Sequence, residues 1–102
     1  NVYTKPQRNA LLVDNDGSFD QAAGNNFKCT PAGNLALTFT NQADGQSGYV
    51  LLINSGGHTL SLHANTKGSA TTAATITAAG TYVISYISDG SNSYITNSVV
   101  YA

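Results

Sequence analysis

The sequence contains no methionine, no tryptophan and no glutamate, and it has one cysteine and two prolines among 102 residues. Each scarcity excludes something. With Cys29 alone, no disulfide closes within the chain, so a disulfide-stapled secreted mini-domain is ruled out. Without glutamate, paired carboxylates for glycoside hydrolysis would have to be aspartates, and nothing beyond arithmetic groups Asp14 with Asp89. Charged residues make up 9% of the chain, against roughly 25% in an ordinary globular domain. The four basic residues, Lys5, Arg8, Lys28 and Lys67, are too scattered to form the stripe that neutralises nucleic-acid phosphates or anionic lipid. No apolar run approaches about 18 residues, so no segment is expected to insert into a bilayer. The chain opens without the basic-then-apolar pattern of a secretory signal. With methionine also absent, it is expected to be a processed product or, the reading favoured here, a piece of a longer protein.

What is present points to a folded β domain. The length suits one domain, which buries roughly 65% of its extended-chain surface without help from metals or disulfides. The apolar fraction is 41% and the net charge is -1, which together oppose disorder. Ser, Thr and Asn therefore supply a neutral, hydroxyl-rich surface. Helix periodicity is poor, and Gly and β-branched residues recur throughout. Leu35, Leu37 and Phe39 alternate with Ala36, Thr38 and Thr40, the pattern of a half-buried strand. The apolar run Tyr49–Ile53 suits a strand covered on both faces. His58–His63 alternates with Leu60 and Leu62 inward. In Tyr82–Ser88, Tyr82, Ile84 and Tyr86 share one face and Val83 and Ile87 the other, and a final strand spans about Tyr94–Tyr101. Phe27 and Cys29 share strand parity, which makes Cys29 a small buried side chain rather than a nucleophile. Glycine-bearing turns at Asn15-Asp16-Gly17, Ala32-Gly33-Asn34, Asp44-Gly45, Ser55-Gly56-Gly57-His58 and Asp89-Gly90-Ser91-Asn92 read as hairpins. Thr66–Thr75 reads as a loop crossing between sheets, with room for one helical turn. The expectation is an all-β fold: a single antiparallel β-sandwich or jelly-roll-like domain over residues 10–102, led by an extended arm at residues 1–9.

The order of motifs also carries a resemblance. Lys5-Pro6-Gln7-Arg8 leads in, Leu12-Val13-Asp14 follows, then Gly24-Asn25-Asn26-Phe27-Lys28-Cys29-Thr30 and Gly33-Asn34-Leu35-Ala36-Leu37. Asp44-Gly45-Gln46-Ser47-Gly48-Tyr49-Val50 comes next, then His58-Thr59-Leu60-Ser61-Leu62, and Gly80-Thr81-Tyr82-Val83-Ile84-Ser85-Tyr86 closes the series. Over roughly residues 4–101 this resembles a small β-rich domain of tailed-bacteriophage virion proteins: tail fibres, head fibres and capsid-decoration proteins. The chain departs from that pattern at Asn65-Thr66-Lys67, where the family commonly has a Trp-Lys pair followed by proline. The resemblance implies a virion location after assembly in the host cytoplasm, a non-enzymatic role and association as a homotrimer with other virion proteins. The arm, with Lys5, Pro6 and Arg8, would tether the domain to the particle or to an upstream segment.

Each candidate for chemistry also has a plainer structural role. Asp14, Asp16, Ser18 and Asp20 alternate like the start of a calcium loop, but the sixth and twelfth positions hold Phe19 and Asn25 where Gly and Glu are required. Hydrated acids in Asx turns explain them better. His58 and His63 are five apart on one strand, hence on opposite faces, and cannot ligate one metal by themselves. No Gly-x-Ser-x-Gly elbow is present. No cofactor, no metal and no enzymatic activity are expected. The tyrosines remain: Tyr82, Tyr86, Tyr94 and Tyr101 are candidates for core or subunit-interface packing, or for a platform that binds host-surface glycans in a carbohydrate-binding or adhesin module.

Overall fold

The computed structural model describes residues 11–69 and 71–101. The expected tethering arm, with Lys5, Pro6 and Arg8, lies outside the described residues. In chain order the elements are β1 (Leu12–Val13), β2 (Ser18–Asp20), β3 (Asn26–Cys29), β4 (Leu35–Thr40), β5 (Asp44–Asn54), β6 (Leu60–Leu62), β7 (Thr66–Lys67), α1 (Thr72–Ile76), β8 (Gly80–Asp89) and β9 (Ser93–Asn97). They form two layers. One is a six-stranded sheet in the order β1-β3-β5-β8-β9-β7, and the other a three-stranded sheet in the order β2-β4-β6.

The antiparallel sandwich expected from the sequence is not what forms. From β1 to β6 the chain alternates between the layers, and each pass lies parallel to the one before it. In one sheet Leu12 pairs with Phe27 and Phe27 with Val50; in the other Phe19 pairs with Phe39 and Leu35 with Leu60. This is a short β-solenoid with mixed pairing, whose stack is continued by antiparallel β8 and β9. The error has a physical origin. Alternation reports which face a side chain takes, not the direction of the neighbouring strand. Of the turns read as hairpins, Asp89–Asn92 folds the chain back within its sheet, while those after β1, β3 and β5 carry it to the other layer.

The corners are built from asparagine. Asn15 Oδ1 accepts the Thr30 N–H at 3.0 Å, and Asn34 Oδ1 accepts the Thr59 N–H at 2.9 Å, so each corner is bonded to the next. Asn54, at the third corner, is fully buried. Its Oδ1 accepts the His58 N–H at 2.9 Å, and its amide nitrogen donates to the carbonyls of Ile76 at 2.8 Å and His58 at 3.0 Å. One side chain thereby satisfies buried backbone groups of both the corner and α1. The helix is only five residues long and is closed at its C-terminal end by Thr77, whose hydroxyl donates to the Ala73 carbonyl at 2.8 Å. Its one large apolar side chain, Ile76, is buried.

The core lies between the layers. Phe19 stands 5.2 Å from its ladder neighbour Phe39 and 5.3 Å across the core from Phe27, and Tyr86 meets Phe39 at 4.8 Å, all tilted rather than stacked flat. Cys29, Leu37, Val50, Leu52, Leu60, Ile76, Tyr82, Ile84 and Ile95 complete it. Burial pushes the Cys29 thiol up to about 11, so it packs as a small hydrophobe and is not a thiolate at neutral pH. Three of the buried polar side chains are grouped: the Gln21 amide nitrogen donates to Ser88 Oγ at 2.8 Å and Ser93 Oγ at 3.0 Å, which lie 2.7 Å from each other.

Candidate functional site

The outer face of the six-stranded sheet is the side that the second layer does not cover, and the register fixes what stands on it. Ile53, Thr81 and Tyr101 form a row at one end. Next come Val13, Lys28, Leu51 and Val83, then Asn26, Tyr49, Ser85 and Thr96, and then Ser47, Ile87 and Tyr94. The last two rows carry no formal charge. β5 was expected to be covered on both faces, yet Tyr49 is 56% exposed, and Ile87 and Tyr94 beside it are exposed as well. The inner face of the same strands is core, because β5 and β8 sit in the middle of the sheet.

Across β3, β5 and β8 this face holds a shallow open cleft of about 270 Å³ beside the Tyr49 ring. Asn25 and Asn26 flank it on one side, and Ser47 and Ser85 supply hydroxyls. Its frame is fixed from beneath. Gln46 donates to the backbone carbonyls of Gln21 at 2.9 Å and Gly24 at 3.0 Å and to Asn25 Oδ1 at 2.8 Å, which holds the loop between β2 and β3. Tyr86 donates its hydroxyl to the Asn25 carbonyl at 2.6 Å. That bond is formed over Gly48, where an added Cβ would collide with the Asn25 carbonyl oxygen. Asn26 Oδ1 accepts the Tyr49 N–H at 3.2 Å, leaving its amide nitrogen to face outward chemistry. The arrangement offers an apolar ring beside neutral donors and acceptors on rigid strands. It suits binding of an uncharged polar molecule, and it holds no acid, base or nucleophile in mutual reach.

The four candidate tyrosines divide. Tyr82 and Tyr86 are buried at 1% and 3% exposure. Tyr82 donates to the Ala78 carbonyl at 2.9 Å, and neither ring is available to a glycan or a partner. Tyr94 and Tyr101 are exposed on the outer face, and the Tyr94 hydroxyl donates to Asp89 Oδ2 at 3.3 Å. Tyr49 was missed because it opens an apolar run. The available signal was parity: Tyr49 shares a face with Leu51 and Ile53, opposite Val50 and Leu52, and has Ser47 two residues before it.

The acids act locally. Asp16 Oδ1 accepts the Ser18 N–H at 2.9 Å, and Asp20 Oδ1 accepts the Asn41 amide at 2.8 Å and the Ala22 N–H at 2.9 Å, which lowers the Asp20 pKa. Asp14, partly desolvated and beside Asp16 and Asp20, is raised. Asp89 accepts the backbone N–H groups of Asn92 at 2.7 Å and Ser91 at 3.0 Å, which lowers its pKa. Among the described residues, no three His, Cys or Asp side chains are placed to hold a metal ion. His58 and His63 lie beyond opposite ends of β6, and His63 Nδ1 accepts the Asn65 N–H at 3.2 Å. No helix among the described residues is long and apolar enough to cross a membrane.

Comparison with family models, curated proteins and solved structures gives no match. The likeness to phage virion domains therefore rests on the order of sequence motifs alone.

Proposed function

We propose that the chain is a non-enzymatic domain of a tailed-phage virion protein, a fibre, knob or decoration unit that associates as a homotrimer and presents its outer sheet face to the host surface. The motif order supports the virion assignment. The observation that carries the rest is the distribution of exposed apolar side chains. Val99, Val100 and Tyr101 are consecutive and 78%, 52% and 52% exposed, and Tyr101 stands beside Thr81 and Ile53 at one end of the outer face. A run of that kind is a natural contact between copies, because a neutral surface repeated by a three-fold axis brings no like charges together. The rows around Tyr49 lie further along the same face and stay open in such an assembly.

The test is molar mass by light scattering across a concentration series. A mass of three chains is expected, falling toward one chain on Val99→Asp while circular dichroism stays β-rich. A wild-type protein that remains monomeric at high concentration contradicts the assembly part of the proposal. Labelling of purified phage particles with an antibody against the domain tests the virion assignment, and particles free of label contradict it.

A further inference from the structure

We infer that the cleft beside Tyr49 is a binding subsite for a neutral pyranose sugar. The inference deepens the host-surface reading above and rests on it only for the origin of the ligand. Three observations converge. First, the Tyr49 ring is more than half exposed on β5, in the middle of the sheet. An exposed ring on a rigid strand is a ready apolar platform for the C–H face of a pyranose. Second, the groups around it are hydroxyls and carboxamides. Ser47 and Ser85 each offer a hydroxyl, and Asn25 and Asn26 each have their side-chain oxygen engaged, by Gln46 and by the Tyr49 N–H, which leaves two amide nitrogens as donors. Third, the lining carries no charge. Phosphate, carboxylate or ammonium ligands find no counter-ion there, whereas sugar hydroxyls find both donors and acceptors.

Size and rigidity agree with one or two sugar rings. The cleft of about 270 Å³ lies just below the usual size of pockets for drug-sized ligands, which run from roughly 300 Å³ upward. Asn25 is held by Gln46 and its carbonyl by Tyr86, so the amide side of the cleft is fixed before any ligand arrives. Tyr86 also lines the cleft, but at 3% exposure its ring belongs to the core, and Tyr82 does not reach the cleft.

The test uses the full chain and a panel of uncharged probes: the methyl glycosides of glucose, galactose, mannose, N-acetylglucosamine and N-acetylgalactosamine, with maltose and lactose. Binding is read by saturation-transfer NMR and by amide shifts of the protein. At least one probe is expected to receive saturation at its ring protons and to shift the Tyr49 and Ser85 amides. Tyr49→Ala is expected to weaken that binding roughly tenfold, the loss of about one aromatic contact, without changing molar mass. Ser47→Ala and Ser85→Ala, which keep the ring, are expected to weaken it less. Silence from every probe at millimolar concentration overturns the inference, and so does binding that Tyr49→Ala leaves intact. If instead Tyr49→Ala lowers the molar mass and no probe binds, the face is a subunit contact, which sinks the sugar site and leaves the trimer standing. Sugar binding by a protein that is monomeric throughout supports the site and removes the trimer.

Discussion

The six passes from β1 to β6 and the β8–β9 hairpin share one core, and β1, β3 and β5 share a sheet with the hairpin, but the two parts turn their corners differently. In the parallel part the first corner packs on the pass that follows it: Gly17, at φ +80°, has the Leu35 side chain and the Ala36 carbonyl against it, 2.6 and 3.0 Å from where a Cβ would lie. In the hairpin, Gly90 at φ +90° has its nearest neighbour, the Asp44 backbone nitrogen, at 3.7 Å. Both glycines meet the same backbone demand, but only the solenoid corner also needs the missing side chain for packing. The parallel part is thus specified by contacts between successive corners, and the hairpin by the chemistry of its own turn.

The largest expected effect comes from a residue that belongs to both parts. Tyr86 sits on β8 but packs on Phe27 and Phe39 of the parallel strands. Tyr86→Asp removes that ring and buries a charge, and should cost about 4 kcal/mol or prevent folding. Urea unfolding and amide exchange should show both parts lost together. Protection that persists in β3 and β4 after β8 and β9 have opened would show the two parts to be independent.

Next in size is the pair of glycines. Gly17→Ala and Gly90→Ala both place a side chain at positive φ, at about 1 kcal/mol each. Gly17→Ala must also displace Leu35 or the Ala36 carbonyl and should cost about 2 kcal/mol or more in total. Equal losses in thermal unfolding would mean that the corner is not packed as described.

The smallest effect is electrostatic. The Asp89 carboxylate is held below its ordinary value of 3.8 by the turn N–H groups of Asn92 and Ser91, while Asp14 is raised above it by desolvation and by Asp16 and Asp20. A lowered folded value means that Asp89 stabilises the hairpin above the unfolded value and loses that contribution as pH falls through the folded one. Asp14 has the opposite sign: its contribution is present below the unfolded value and is lost as pH rises through the folded one. Asp14→Asn should therefore be neutral or slightly stabilising at pH 7. Carboxyl carbon titration by NMR should place the two aspartates on opposite sides of 3.8, and coincident titrations would contradict both assignments.

The sequence showed much of the local structure. β4 was legible at its full extent, because Leu35, Leu37 and Phe39 alternate cleanly, and the β8–β9 hairpin was legible from Asp89-Gly90. The strand β2 was not, since its three residues carry one apolar side chain between a serine and an acid and read as part of an Asx turn. Strand direction was hidden for a deeper reason. The parallel offsets differ, 15 residues from Leu12 to Phe27 and 23 from Phe27 to Val50, so no fixed period betrays a stack of passes. Asn54 looked like a turn residue and is a buried staple, because beside its own corner it satisfies a carbonyl of a helix more than twenty residues away. The cleft depends on the same pairing. Asn26 meets Tyr49 only through the parallel ladder, and Tyr49 meets Ser85 through the antiparallel one.

Parallel pairing of β3 with β5 is therefore the claim on which both the fold and the cleft stand, and interstrand NOEs in a labelled sample test it directly. The structure requires contacts that link Asn26 with Tyr49 and Cys29 with Leu52, at a constant separation along the two strands. Contacts that instead cross over, joining Asn26 to the neighbourhood of Leu52 and Cys29 to that of Tyr49, would contradict it and dismantle the Tyr49 site with it.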